Sequence, residues 1–364
     1  MKQRNPVFDN LRGLCMLGVI GIHVGSMAVE ELVASPLLVL ITNVLSRYSV
    51  PAFFFISGYG LFYTNPLEQD LDYGLFVRKR LKSIAFPYVL ASLIYIAYNA
   101  FFALDWSMLA PDEVLFALFF GTGEYHIYFL VLLLWFYLLF PLWRLLMKAM
   151  ERIGLKLALP ILFAAQVALY QFSFHFWVYP KWIAASPTLR NLCNYRLNYF
   201  CFFYLFIFML GGIIARHYSA FERLIMEHRK ALTAFFLLSA GTNTFIFYRW
   251  TFLWGMPYEN TINYLQQLSL PGLVYTIASC LCFSSILATG QYPFKTALKR
   301  MSDRSFIIYL IHPFFIDQFS LFLKKRLGTL EGFSMPLFYC LILGVSYFLA
   351  EAWHYYKAKR RVKR

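Results

Sequence analysis

Arg12 and His23 are the pair in this chain whose types and spacing point most directly to chemistry. They stand eleven positions apart in an apolar run. At about 100° per residue that spacing brings both to within about 20° of one helix face and sets them about 16 Å apart along the axis. A neutral imidazole can act as a general base near neutral pH, and a guanidinium can grip a phosphate through two parallel hydrogen bonds. Ionisable side chains inside a hydrophobic span face the bundle interior or a wet cavity, which makes each a candidate functional residue. Asp9 precedes Arg12 by three, the spacing of a helical ion pair. The plainer alternative is an Arg12 that snorkels to the headgroups with Asp9 as partner, and a His23 that bonds a neighbouring helix. Gly13, Gly18, Gly21 and Gly25 thin this helix, which suits close helix packing or a ligand chain laid along it.

Further ionisable residues border or enter other apolar runs. Arg78-Lys79-Arg80-Leu81-Lys82 precedes the third run, and His126 opens the fourth on its outer side, where a headgroup-level histidine among belt tyrosines is the bland reading. His312 follows Ser305 by seven and precedes Pro313, so a bond to a carbonyl freed by the proline is favoured over a catalytic role. Arg47 lies inside the second run, with Asp317 of the ninth as a candidate partner. Glu351, near the cytoplasmic end of the last, is expected to pair with a Lys or Arg of the tail. The six cysteines lie in or beside apolar runs, with no C-x-x-C pair and no His at zinc-ligand spacing, so no metal site is expected.

The elements that must position these residues follow from composition. Of 364 residues 60% are hydrophobic and 14% charged, where a soluble domain carries about 25% charged residues. The net charge of +15 would suggest nucleic acid in a polar chain, but 40 Phe and 26 Tyr among long apolar runs describe a polytopic membrane protein instead. The expected fold is all-α, with about ten transmembrane helices near 11–29, 36–63, 84–104, 126–146, 157–176, 199–215, 231–253, 264–289, 305–323 and 333–354. Most of the 33 Lys and Arg fall in the N-terminus, the even-to-odd loops and the C-terminus, which places both termini in the cytoplasm. The connection 105–125 shows the opposite bias, holding Asp105, Asp112, Glu113 and Glu124 and no Lys or Arg. Asp9 and Arg12 within the first run argue for a retained signal anchor rather than a cleaved leader. The reading is one membrane domain over 1–364 with no fused soluble domain, its basic tail 357–364 a stop-transfer and headgroup contact.

Asp9-Asn10-Leu11-Arg12-Gly13 followed by His23 resembles the Arg, ten residues, His signature of the membrane-bound acyltransferase 3 family. Four more segments agree in order. Val50-Pro51-Ala52-Phe53-Phe54-Phe55-Ile56-Ser57-Gly58-Tyr59 resembles its VPxFFxxSGY, and Arg80 to Pro87-Tyr88 its basic run ending in Pro-Tyr. Tyr125-His126-Ile127-Tyr128-Phe129-Leu130 is similar to its HLWFL, and Ser305 with Ile308-Tyr309-Leu310-Ile311-His312-Pro313 to its S…YLxHP. The chain departs where the family often reads R-x-x-R: the second position is Ser83, with Lys82 beside it.

The resemblance implies transfer of an acyl group, most often acetyl, from cytoplasmic acyl-CoA to a hydroxyl of a cell-envelope carbohydrate or glycolipid, in a bacterial inner membrane. It implies catalytic roles for His23, Arg12 and His126, and donor binding by Arg12, Arg78, Arg80 and Lys82. Asp9, Ser57 and His312 would be structural or orienting. The expected partners are the bilayer, acyl-CoA and an envelope carbohydrate acceptor, with no metal and no nucleic acid. The pantetheine arm of the donor would lie along the glycine-rich face of the first helix. The rival from another class is a glycolipid transporter or flippase using the same polar interior, which predicts inverted repeats and paired broken helices that the sequence does not display. A membrane scaffold, the third option, leaves Arg12, His23 and Arg47 without a reason to be kept from lipid.

Overall fold

The computed structural model describes residues 5–30, 35–327 and 335–362. It is 86% helical with no strand among the described residues, as a backbone that must satisfy its own hydrogen bonds in hydrocarbon requires. In chain order the principal helices are α1 (Pro6–Glu30), α2 (Pro36–Thr64), α3 (Tyr73–Ala103), α4 (Tyr128–Leu138), α5 (Phe140–Ile153), α6 (Leu155–His175), α7 (Cys201–Arg216), α8 (Tyr218–Glu227), α9 (Arg229–Leu253), α10 (Leu270–Ala288), α11 (Lys295–Leu327) and α12 (Met335–Val362). Eight are long and apolar enough to cross a membrane alone. The count reaches ten when the broken pairs α4 with α5, bent by 64°, and α7 with α8 are each taken as one span.

Every predicted span has its helix, but several bounds differ. The span expected from 264 starts at Leu270, where the Ser269 hydroxyl accepts from the Gly272 amide at 3.1 Å and Pro271 occupies the first turn. The span expected from 305 starts ten residues earlier, at Lys295, because Lys299, Arg300 and Arg304 extend the helix beyond its apolar part. Pro313 sits inside α11 without ending it. The basic tail continues α12 to Val362, and residues 363 and 364 lie outside the described residues.

The chain forms two compact units, one from residues up to Ser57 and from His217 onward, the other from Gly58 to Arg216. In the first, α1 packs chiefly on α11 and also touches α10, α12 and the irregular middle of α2. Glycine makes this approach possible. A Cβ on Gly13 would collide with the backbone carbonyl of Leu298, and one on Gly25 with the side chains of Thr42 and Asn43. Gly18 faces Ser49 in the same way. These three glycines are therefore covered by protein, which corrects the expectation of a pantetheine channel along the whole glycine face.

The middle of α2 opens into a π turn over Leu40–Val44 and tightens into a 3-10 turn over Leu45–Tyr48. Carbonyls displaced from the regular ladder are taken up by side chains: the Thr42 hydroxyl donates to Leu38 at 2.7 Å, the Ser46 hydroxyl to Ile41 at 2.8 Å, and Arg47 Nε to Asn43 at 2.8 Å.

The second unit is held by buried polar side chains that hydropathy alone does not reveal. The Arg144 guanidinium donates to the carbonyls of Asn65, Pro66, Leu67 and Gln69, the last at 2.6 Å, and so pins the connection after α2. Gln166 accepts from the Phe206 amide at 3.0 Å and donates to the Phe203 carbonyl at 3.1 Å, bracketing the 3-10 turn that opens α7. Arg196 donates to Ser173 and to the Cys193 carbonyl, and its guanidinium lies 4.1 Å from the centre of the Trp177 ring.

The glycine contacts make a paired prediction. Gly13→Ala should destabilise the protein by about 1–3 kcal/mol, because a backbone carbonyl cannot move aside as a side chain can. Gly21→Ala, whose nearest neighbour is the Ser46 hydroxyl at 3.5 Å, should be tolerated. Thermal unfolding in detergent checks both, and equal melting temperatures for the two variants would contradict the packing account.

Candidate active site

His23 lies two-thirds of the way along α1 and is half-buried; His312 lies in the middle of α11 and is fully buried. Their rings meet. His23 Nδ1 is 2.8 Å from His312 Nε2, with ring centroids 4.9 Å apart and planes inclined by 17°. The other nitrogen of His312, Nδ1, is 3.0 Å from the Ile308 carbonyl one turn earlier. His312 thus bonds the backbone carbonyl of Ile308, and the same ring also joins His23.

Arg12 and Asp9 are brought together at the start of α1, but not as the simple pair that spacing suggests. Asp9, 5% exposed, receives Lys299 Nζ at 3.0 Å, whereas Arg12 Nη1 stands 3.7 Å from its other oxygen. Lys299 is the closer partner. Arg12 keeps a third of its side-chain surface exposed. Nearby on α11, Arg304 binds Glu351 of α12 through two contacts, one of 3.0 Å. This corrects the expected pairing of Glu351 with the tail.

Arg47 donates from Nε to the Asn43 carbonyl and from Nη1 to Gln267 Oε1 at 3.3 Å. It also lies near enough to His23 for its charge to act on that ring. These contacts tie Arg47 to the π turn of α2 and to Gln267, just before α10. Ser57 is half-buried, ten residues further along α2 than Arg47 and about 15 Å along the axis.

The remaining candidates belong to the second unit. His126 is 2% exposed, its ring set edge-on against Tyr95 at 5.5 Å and Tyr125 at 5.7 Å, so it is a buried residue and not a headgroup-level one. Beside it, burial raises the Glu124 carboxyl above the usual carboxylate range, against the amide of Tyr125 and the carboxamide of Asn99, which lower it. Arg78 and Lys82 are exposed. Arg80 is half-buried, its guanidinium 5.3 Å from the Phe76 ring centre and 5.0 Å from that of Tyr137. A π turn over Leu81–Ala85, which contains Lys82, lies between Arg78 and Arg80 and the apolar body of α3.

Sequence reasoning missed Lys299, counted only as a loop charge, and the bond between the two histidines. Both contacts join positions far apart in the chain, and no spacing rule reaches them. The arrangement joins a half-buried imidazole to a second, fully buried one, with Arg12 near the start of the same helix. Such a helix can bind an anionic ligand at one end and exchange a proton at the other. Among the described residues no cluster of His, Cys, Asp or Glu can hold a metal ion.

Compared with known proteins, the chain matches neither a curated protein nor a solved structure. It does match a family model described as an acyltransferase domain, over residues 5–351, which takes in every candidate site residue. That match covers nearly the whole chain, in agreement with the Arg12 and His23 pattern, and the protein is therefore a membrane acyltransferase belonging to the acyltransferase 3 family.

Proposed function

We propose that this acyltransferase moves an acyl group, acetyl in the first instance, from cytoplasmic acyl-CoA to a hydroxyl of an envelope carbohydrate or glycolipid in a bacterial inner membrane. The observation that carries the reading is His23, half-buried within a span, bonded to His312 and sharing a helix stripe with Arg12. A sugar hydroxyl is a weak nucleophile, and an imidazole within hydrogen-bond reach supplies the base it needs. Coenzyme A carries several phosphates, and the family resemblance assigns donor binding to Arg12, Arg78, Arg80 and Lys82, all of which can bind a phosphate. Arg80, braced on two aromatic rings, is the most restrained of these and suits a fixed phosphate contact. His126 is assigned to acceptor orientation, with Tyr95 and Tyr125 fixing its ring. Ser57 remains a structural residue of α2, and Asp9 orients Arg12. The transporter reading predicts paired broken helices, and α4 with α5 and α7 with α8 are bent in that way, but the family match favours acyl transfer.

Three outcomes test this. On folded protein, His23→Ala should lower acyl-CoA turnover by about a hundredfold or more while donor binding stays nearly normal. Arg12→Ala should raise the KM for acyl-CoA and leave the fold intact, because Asp9 retains Lys299 at 3.0 Å. Lys299→Ala should instead cost about 1–3 kcal/mol in stability, since it leaves a nearly buried carboxylate with only its longer contact. Loss of folding in the Arg12 variant with none in the Lys299 variant would reverse the assignment.

Donor affinity should fall in Arg80→Ala and Lys82→Ala, and the wild-type affinity should weaken as salt rises, because exposed phosphate contacts are screened over about 10 Å at 0.1 M. Unchanged binding in both variants, measured by isothermal titration, would move the donor elsewhere. The orientation is open to labelling: in a cysteine-free variant, single cysteines at Asp112 and Lys79 should react with an impermeant reagent from outside and inside respectively. Reaction of both on intact cells would contradict cytoplasmic termini.

A further inference from the structure

His312 meets His23 across the α1–α11 seam, and its surroundings determine where its proton sits. The Ile308 carbonyl, 3.0 Å from His312 Nδ1, can only accept, so Nδ1 carries hydrogen. In the neutral ring that a fully buried position favours, the other nitrogen is then an acceptor. That nitrogen, Nε2, faces His23 Nδ1 at 2.8 Å. The small inclination of 17° and the centroid distance of 4.9 Å describe rings meeting edge to edge, with the lone pair of one aimed at the N–H of the other. His23 Nδ1 must therefore donate, and the lone pair of His23 resides on Nε2, across the ring from His312.

We propose that His312 is a positioning residue for acyl transfer: it locks His23 in the Nδ1–H tautomer, presents Nε2 as the reacting nitrogen, and accepts a stronger hydrogen bond when His23 becomes cationic. The proposal deepens the function assigned to His23 and rests on it. In the step it supports, the acceptor hydroxyl gives its proton to His23 Nε2 as its oxygen forms a bond to the thioester carbon. The carbonyl pair moves to oxygen, making a tetrahedral oxyanion. When the carbonyl re-forms, the carbon–sulfur bond breaks, and the departing sulfur takes the proton from His23 Nε2. The products are an ester and free coenzyme A, with His23 returned to its starting tautomer. Throughout, Nδ1–H stays on His23 and His312 does not touch the substrate.

A purely structural His312 would satisfy the Ile308 carbonyl and fill space, and activity would follow folding. The two roles separate in two variants and one spectroscopic measurement. His312→Leu should lower kcat by about a hundredfold on folded, monodisperse protein with the KM for acyl-CoA within about twofold of wild type, the pattern of a lost chemical-step interaction. His312→Gln, whose carboxamide oxygen can reach the place of Nε2 and accept from His23, should recover at least about a tenth of wild-type kcat. Nitrogen-15 solid-state NMR of histidine-labelled protein in bilayers, with His23→Gln to assign the signal, should show His23 protonated at Nδ1 in the wild type and a shifted or mixed tautomer in His312→Leu.

An Nε2–H tautomer of His23 in the wild type would overturn the proposal. So would a Gln variant as inactive as the Leu variant, or a Leu variant whose loss of activity only matches its loss of folded protein. Should the wild type fail to turn over acyl-CoA, the functional reading falls by itself. The tautomer of His23 and its response to His312→Leu would still decide whether His312 positions that ring.

Discussion

The parallel seam between α1 and α11 is the constraint from which the candidate site follows. It is tied at two levels. Asp9 meets Lys299 near the start of both helices, and His23 meets His312 further on. The intervals are fourteen residues on α1 and thirteen on α11, each about 20 Å along its axis, so the two helices keep register over most of a membrane's thickness. Between the ties, Gly13 lets the backbone of α11 come into direct contact with α1. A larger residue there would push the helices apart and break the hydrogen bonds on either side, so apolar packing and polar chemistry depend on the same residue.

The seam also explains why charged residues persist in so apolar a chain. An ionisable side chain in lipid is costly unless it faces inward and finds a partner. Several here have one: Asp9 has Lys299, Arg304 has Glu351, and Arg144 has four carbonyls of the loop after α2. The irregular turns follow a similar logic. The π turn in α2 displaces carbonyls from the ladder, and Thr42, Ser46 and Arg47 satisfy them from within the protein, the condition under which non-helical backbone is tolerated at membrane depth. That turn also fixes Arg47 near His23.

Much of this was readable beforehand, for definite physical reasons. Spans are legible because hydrocarbon demands about twenty apolar residues, and each predicted run has its helix. The start of α11 was misplaced because turns rich in Lys and Arg can be helical outside the apolar layer. Arg12 and His23 stood out because lipid should have excluded them. The contacts around them did not, since Lys299 lies 290 positions from Asp9 and His312 lies 289 from His23, and helical periodicity carries no information at that range. The glycines were legible as a feature and ambiguous as to purpose. Only the contacts with Leu298, Ser49 and Thr42 show that three of the four serve packing. His312 was read as a carbonyl-bonding residue; that was right for one nitrogen and silent on the other.

The central claim is that His23, presented by this seam, acylates an envelope carbohydrate. Its most direct test is mass spectrometry of envelope glycans from cells lacking the gene and supplied with either the wild-type protein or His23→Gln at equal membrane abundance. Glutamine keeps a hydrogen-bonding side chain of similar size but cannot act as the base. The account predicts an alkali-labile acyl group on a glycan with the wild type and its absence with the Gln protein. An acyl group restored equally by both would contradict it.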